Sequence, residues 1–184
     1  MKKWLALALA LLSAPVRADG IAPWAATVSS TLQLPSATTA YTAAQLIATS
    51  ATAGSVVVPS FTVPGGWQTA MIVRLRLSSN DATGTAWGAQ TITVDLWSAA
   101  PTLTNGDRAA YSPATGVANH LGSFDCIMSA VYGDGVYGEC APNVGNIALA
   151  NTSTATIYWT LTAKTGSGVT GASKVFTLRP EFFF

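Results

Sequence analysis

Four stretches of this chain alternate apolar and polar residues with a period of two. Met71, Val73, Leu75 and Leu77 share one face, with Arg74, Arg76 and Ser78 opposite. Ile92, Val94 and Leu96 alternate with Thr91, Thr93 and Asp95. Ile157, Trp159 and Leu161 alternate with Thr156, Tyr158, Thr160 and Thr162, and Phe176 and Leu178 with Val175, Thr177 and Arg179. A period of two places successive side chains on opposite faces of a strand, so each stretch reads as a half-buried antiparallel strand. Further strands are expected at Thr27–Leu34, Ser55–Val63, Phe124–Val131, Val136–Cys140 and Asn146–Ala150. Breakers separate them: Pro64-Gly65-Gly66, Asn80 to Gly84, Asn105-Gly106-Asp107, Ser112-Pro113 and Thr165 to Gly171.

Short strands at such spacing predict an all-β antiparallel sandwich, jelly-roll-like. One short helix is expected at Thr42–Ala48, with Thr42 as its cap and Ala43, Ala44, Leu46 and Ile47 on its packing face. At 184 residues the chain is long enough to bury a core and reads as one domain, 19–184, behind a leader. Charged residues make up 9%, against roughly a quarter in ordinary soluble domains. That poverty of charge, with a net charge of +1, argues against an electrostatic nucleic-acid binder and suits a surface covered by neighbours.

Residues 1–18 read as a secretory signal: Lys2 and Lys3 precede an apolar run from Trp4 to Leu12, and Val16-Arg17-Ala18 precedes a cut after Ala18. The run is too short to span a bilayer, so no stable membrane insertion is expected after cleavage. The alternative is an uncleaved apolar segment that packs in an assembly. Cleavage would remove Lys2, Lys3 and Arg17, leaving a net charge of −2.

The two cysteines, Cys126 and Cys140, flank "IMSAVYGDGVYGE". Asp134-Gly135 between alternating runs is a hairpin signal, and antiparallel pairing about Gly133 would set the cysteines opposite each other as a disulfide. A cation site at Asp134 and Glu139 is the competing reading, but the stretch lacks the dense oxygen ligands of a calcium loop. With one histidine and no CxxC, a zinc site is not expected, and no cofactor is. The seven scattered acids beyond residue 80 read as turn residues rather than a catalytic pair, and His120 as solvent-exposed. Asn151-Thr152-Ser153 matches a glycosylation sequon without a context that uses it.

Among the aromatics, Trp67, Trp87, Trp97 and Trp159 lie on or beside strands, where core packing is the simplest role. Trp87, Trp97, Tyr132, Tyr137, Phe182, Phe183 and Phe184 are the candidate partner contacts. The terminal Phe182-Phe183-Phe184 also evokes an outer-membrane barrel, but Pro180 and Glu181 are expected to interrupt the last strand. The tail is therefore expected to dock on the body of the fold or on a neighbouring subunit.

Residues 34–112 resemble a group of small structural proteins of tailed phages and prophages. The shared pattern is T-T-A-Y-x-A-x-x-x-I-A at Thr38–Ala48, an alternating strand at Met71–Leu77, I-x-V-x-L-W at Ile92–Trp97 and P-T-x-x-N-x-D-x-A-x-Y at Pro101–Tyr111. The resemblance implies a non-enzymatic virion protein on the capsid surface, a decoration or cement subunit, or else a tail-associated one. Its implied partners are other copies of itself, as a homo-oligomer such as a trimer, and the major capsid protein. Two other readings stand beside it: a secreted or periplasmic bacterial module binding glycan or protein, and an exported hydrolase using an Asp pair.

Overall fold

A computed structural model describes residues 25–36, 39–63, 69–143, 147–150, 156–166 and 173–183. The leader segment 1–18, Trp67, the sequon at Asn151 and Phe184 lie outside the described residues. The strands are β1 (Ala25–Thr27), β2 (Ser30–Gln33), β3 (Gln45–Ile47), β4 (Ser60–Thr62), β5 (Thr69–Ser79), β6 (Gln90–Trp97), β7 (Thr102–Leu103), β8 (Pro113–Thr115), β9 (His120–Tyr132), β10 (Gly135–Pro142), β11 (Ile147–Ala150), β12 (Thr156–Ala163) and β13 (Val175–Phe183). All but the small β7–β8 pair join one eleven-stranded antiparallel sheet.

The eleven segments make eight strands, because three are broken in two. β2 and β1 lie in line along β13, β3 and β4 along β12, and β10 and β11 along β5. Numbered in chain order, the eight are hydrogen-bonded as 1-8-3-6-5-4-7-2. The halves 1-8-3-6 and 5-4-7-2 are the two sheets of a jelly roll, joined at the β9–β10 hairpin. Both inner faces meet in one core: Ile72, Leu75, Leu77, Phe176, Leu178 and Phe182 from the first half, and Ile92, Val94, Leu96, Phe124, Met128, Trp159 and Leu161 from the second. At the open side Ser30 of β2 donates to the Ser60 carbonyl at 2.7 Å and accepts from Trp159 Nε1 at 2.9 Å, bridging the two sheets.

The all-β sandwich is as the alternation predicts, with four local departures. The segment expected as a helix at Thr42–Ala48 is a turn leading into β3. Leu46, Ile47 and Ala48 are each 1% exposed, since both faces of this stretch are covered, and a short run that is apolar throughout has no period to identify it. Its outer edge is also capped: Leu46 donates to the Ala109 carbonyl and Arg108 to the Leu46 carbonyl, so residues 107–111 protect an edge strand. Second, Ser55–Val63 forms strand only at Ser60–Thr62, after a 3₁₀ turn at Ala53–Ser55. Third, Val73 does not share a face with Leu75. Arg74 pairs with Glu181 and Ile72 with Phe182, so Val73 is an extra residue, 49% exposed, and the inward set is Ile72, Leu75 and Leu77. Fourth, Pro180 does not interrupt β13, which runs to Phe183. Pro180 stands level with the break between β2 and β1, where a residue lacking an amide proton is tolerated.

Candidate interaction face and polar cluster

The outward face of sheet 1-8-3-6 follows directly from register. Arg179, Arg76, Glu139 and Ile127 form one row across β13, β5, β10 and β9. Thr177, Ser78, Tyr137 and Ala130 form the next. Over these rows and on towards the hairpin tip the face sinks into a cleft of about 510 Å³, lined by Arg76, Arg179, Tyr137, Tyr132, Asp134 and Asn80 among others. Tyr137 donates to Glu139 Oε1 at 3.0 Å. Desolvation and then this acceptor push the Tyr137 hydroxyl above its ordinary pKa, against the pull of Arg76 and Arg74.

The cysteines lie beneath this face. Cys126 and Cys140 are bonded and directly opposed, with the hairpin turn at Gly133-Asp134. The bridge points inward, with Cys126 fully buried, at the corner where the two sheets meet. Asp134 and Glu139 flank different parts of the face, one in the turn and one in β10.

A second polar group sits at the opposite end of the sandwich. Asp95, Trp97, Tyr111, Val117 and His120 line a hollow of about 270 Å³. His120 is exposed as expected, but its ring lies 4.7 Å from that of Trp97 and its Nε2 is 3.2 Å from Asp95 Oδ1. Ser123 Oγ donates to Asp95 and lies 3.3 Å from the same Nε2. Activation of a serine by a relay needs the acid on one ring nitrogen and the hydroxyl on the other. Here both engage Nε2, so the trio reads as a polar clasp on β6 and β9. Trp97 Nε1 donates to Thr160 Oγ1 at 3.1 Å, and the Tyr111 hydroxyl shares that oxygen at 2.8 Å.

The seven candidate contact residues divide sharply. Trp87 and Phe182 are fully buried and Trp97 is 4% exposed, so these three are core residues in this fold and not accessible anchors. Trp87 packs between Tyr41 and Phe176, at ring distances of 5.1 and 4.9 Å. Tyr132 (59%) and Phe183 (48%) are exposed, Tyr137 is half-buried on the same outward face, and Phe184 lies outside the described residues. Sequence reasoning missed Arg76 and Arg179 as a pair. Alternation places both outward, but only the β5–β13 register sets them opposite each other.

Three buried acids organise the body. Asp107 accepts from the Tyr41 hydroxyl at 2.7 Å and the Ala48 amide at 2.8 Å and pairs with Arg108, which also lies over the Tyr41 ring. Burial outweighs these partners and raises its pKa. Asp95 is the second. Asp81 is the third: its carboxylate accepts from the amides of Ala86 and Trp87 at 2.9 and 3.0 Å, with Lys174 at 3.5 Å. Burial pushes the Asp81 pKa up, but those amides and Lys174 outweigh it and hold it below the usual value. A lowered folded pKa gives stability that is complete above about pH 4 and is lost as pH falls through the folded value. Asp125, held low by Lys164 and Thr93 against its own burial, acts with the same sign, and Asp107 with the opposite one. Asp81→Asn is therefore expected to cost about 2 kcal/mol at pH 7, and the gap from wild type is expected to shrink below pH 4. Urea unfolding at pH 7, 5 and 3 measures it.

The residues thus define a disulfide-bonded jelly roll with one open, arginine- and tyrosine-bearing face. Compared with protein-family models and with curated proteins, the chain matches none. No helix among the described residues is long and apolar enough to cross a membrane.

Proposed function

We propose that the chain is a non-enzymatic structural protein of a tailed-phage particle, a decoration subunit on the capsid surface that meets other copies of itself and the major capsid protein. The observation that carries this reading is the end of the sandwich bearing Phe183. Phe182 is rooted in the core, Phe183 is 48% exposed and pairs with Met71, and Val73 stands out beside them at 49% exposure. Apolar side chains held on paired strands, in a chain with so few charges, suit burial against a neighbour. Binding to the assembled shell alone would stabilise it by mass action. Phe183→Ser is expected to weaken rebinding to particles lacking the chain by about tenfold or more while leaving the unfolding midpoint nearly unchanged. Sedimentation of particles with labelled chain measures this; equal rebinding by wild type and variant would count against Phe183 as an anchor.

The Cys126–Cys140 bridge favours a second reading, an exported binding module, because disulfides persist in oxidising compartments. The redox state of the cysteines in chain taken from its native source separates the two settings.

A further inference from the structure

We propose that the cleft beside the β9–β10 hairpin is a binding site for a carboxylated glycan. Arg76 and Arg179 face outward directly opposite each other on β5 and β13. Like charges so placed repel, and such a pair is best relieved by an anion between them. Among the described residues neither guanidinium has a carboxylate within ion-pair distance, whereas Arg74 two positions along β5 has Glu181 at 3.8 Å. Glu139, next to Arg76 across the sheet, accepts the Tyr137 hydroxyl instead.

A second observation points to the same place. Among the described residues Arg76 Nε is buried with no hydrogen-bond partner, and Arg76 lines the cleft. Buried polar atoms normally find partners, and an unpartnered one on an arginine beside an open hollow marks a place where a ligand would relieve it.

The lining decides the ligand class. Ser78, Thr177, Asn80 and Asp134 offer neutral and acidic groups matched to sugar hydroxyls, and the exposed Tyr132 ring offers an apolar face to a pyranose. An acidic peptide would bind an open sheet by adding a strand, but this floor is β5 already paired on both sides, so no main-chain ladder is on offer. The cleft lies at the opposite end of β13 from Phe183, so it uses none of the residues assigned to docking on a particle.

Titration calorimetry on the full chain tests this with carboxylated oligosaccharides (oligogalacturonate, oligoguluronate and hyaluronan fragments), methyl-esterified oligogalacturonate, a neutral maltooligosaccharide and a short polyglutamate peptide. At least one carboxylated sugar is expected to bind, its neutral or esterified counterpart is not, and Arg179→Gln is expected to weaken binding by about tenfold or more. Arg179 is exposed, so the variant keeps its fold, which thermal unfolding verifies; Arg76→Gln gives the second arm. Carboxylated sugars binding no better than neutral ones, binding indifferent to both arginine variants, or polyglutamate binding as tightly as any sugar would each overturn the proposal. None of these outcomes bears on whether Phe183 anchors the chain to a particle.

Discussion

Trp87→Ala is expected to lower the free energy of unfolding by about 4 kcal/mol. Trp87 is fully buried, between Tyr41 from the first crossover and Phe176 from β13. It belongs to residues 80–89, a loop that has no ladder of its own and is held by the Asp81 carboxylate and by the Ala89 amide on the Met128 carbonyl. Truncation would leave a cavity under that loop, whose other anchors, the Asn80–Val175 hydrogen bonds and the Asp81–Lys174 pair, lie at its start. The indole Nε1 is buried without a partner, so Trp87→Phe removes an unsatisfied donor along with its volume. It is expected to cost about 1 kcal/mol, far less than alanine. Urea midpoints for the two variants give the contrast; equal losses would mean that the side chain is valued for something other than its bulk.

Removing the disulfide is expected to cost about 3 kcal/mol, as the entropy of closing a loop of this length implies. The cysteines are 14 residues apart, and Cys126→Ala/Cys140→Ala leaves the paired strands in place while freeing the unfolded chain. The expected signature is a lower urea midpoint for the variant that reductant does not change further, against a wild type that reductant brings down to the same level. Because Cys126 is fully buried, reduction requires the hairpin to open first. A variant as stable as wild type would show that the corner between the sheets is held by the ladders and the core alone.

That hairpin shows how far the sequence could be read. The pairing of Cys126 with Cys140 was legible from their symmetry about Gly133. The route to it was not. The turn at Gly133-Asp134 sets Gly135 opposite Tyr132 and Tyr137 opposite Ala130, a register that would leave Cys140 facing Ile127. One extra residue on β9, at Met128-Ser129 opposite Gly138, restores the match. Gly138 is suited to that spot, since a Cβ there would stand 2.6 Å from the Ile127 carbonyl oxygen. A second bulge at Val73 turned an apparently regular alternation into two half-strands of opposite phase. Bulges carry no residue signature of their own, which is why period counting passed over both.

The jelly-roll sheet was legible because its long strands are half-buried and so alternate. β3 was not, because the 107–111 segment covers its free edge and leaves Leu46, Ile47 and Ala48 all buried. Candidate contacts fared according to neighbours that sequence does not display. Tyr132 and Phe183 face outward, while Trp87 is enclosed by aromatics 46 residues before it and 89 after it in the chain. The arginine pair of the cleft likewise joins residues 103 positions apart and exists only through the β5–β13 register.

Whether the chain is a subunit carried on a particle is decided by mass spectrometry of gradient-purified particles from the native source. The chain is expected in those particles at a constant ratio to the major capsid protein, with its intact mass showing which residue comes first and whether the two thiols are bonded. Particles that carry none of it, with the chain recovered only outside them, would rule out a role as a particle subunit.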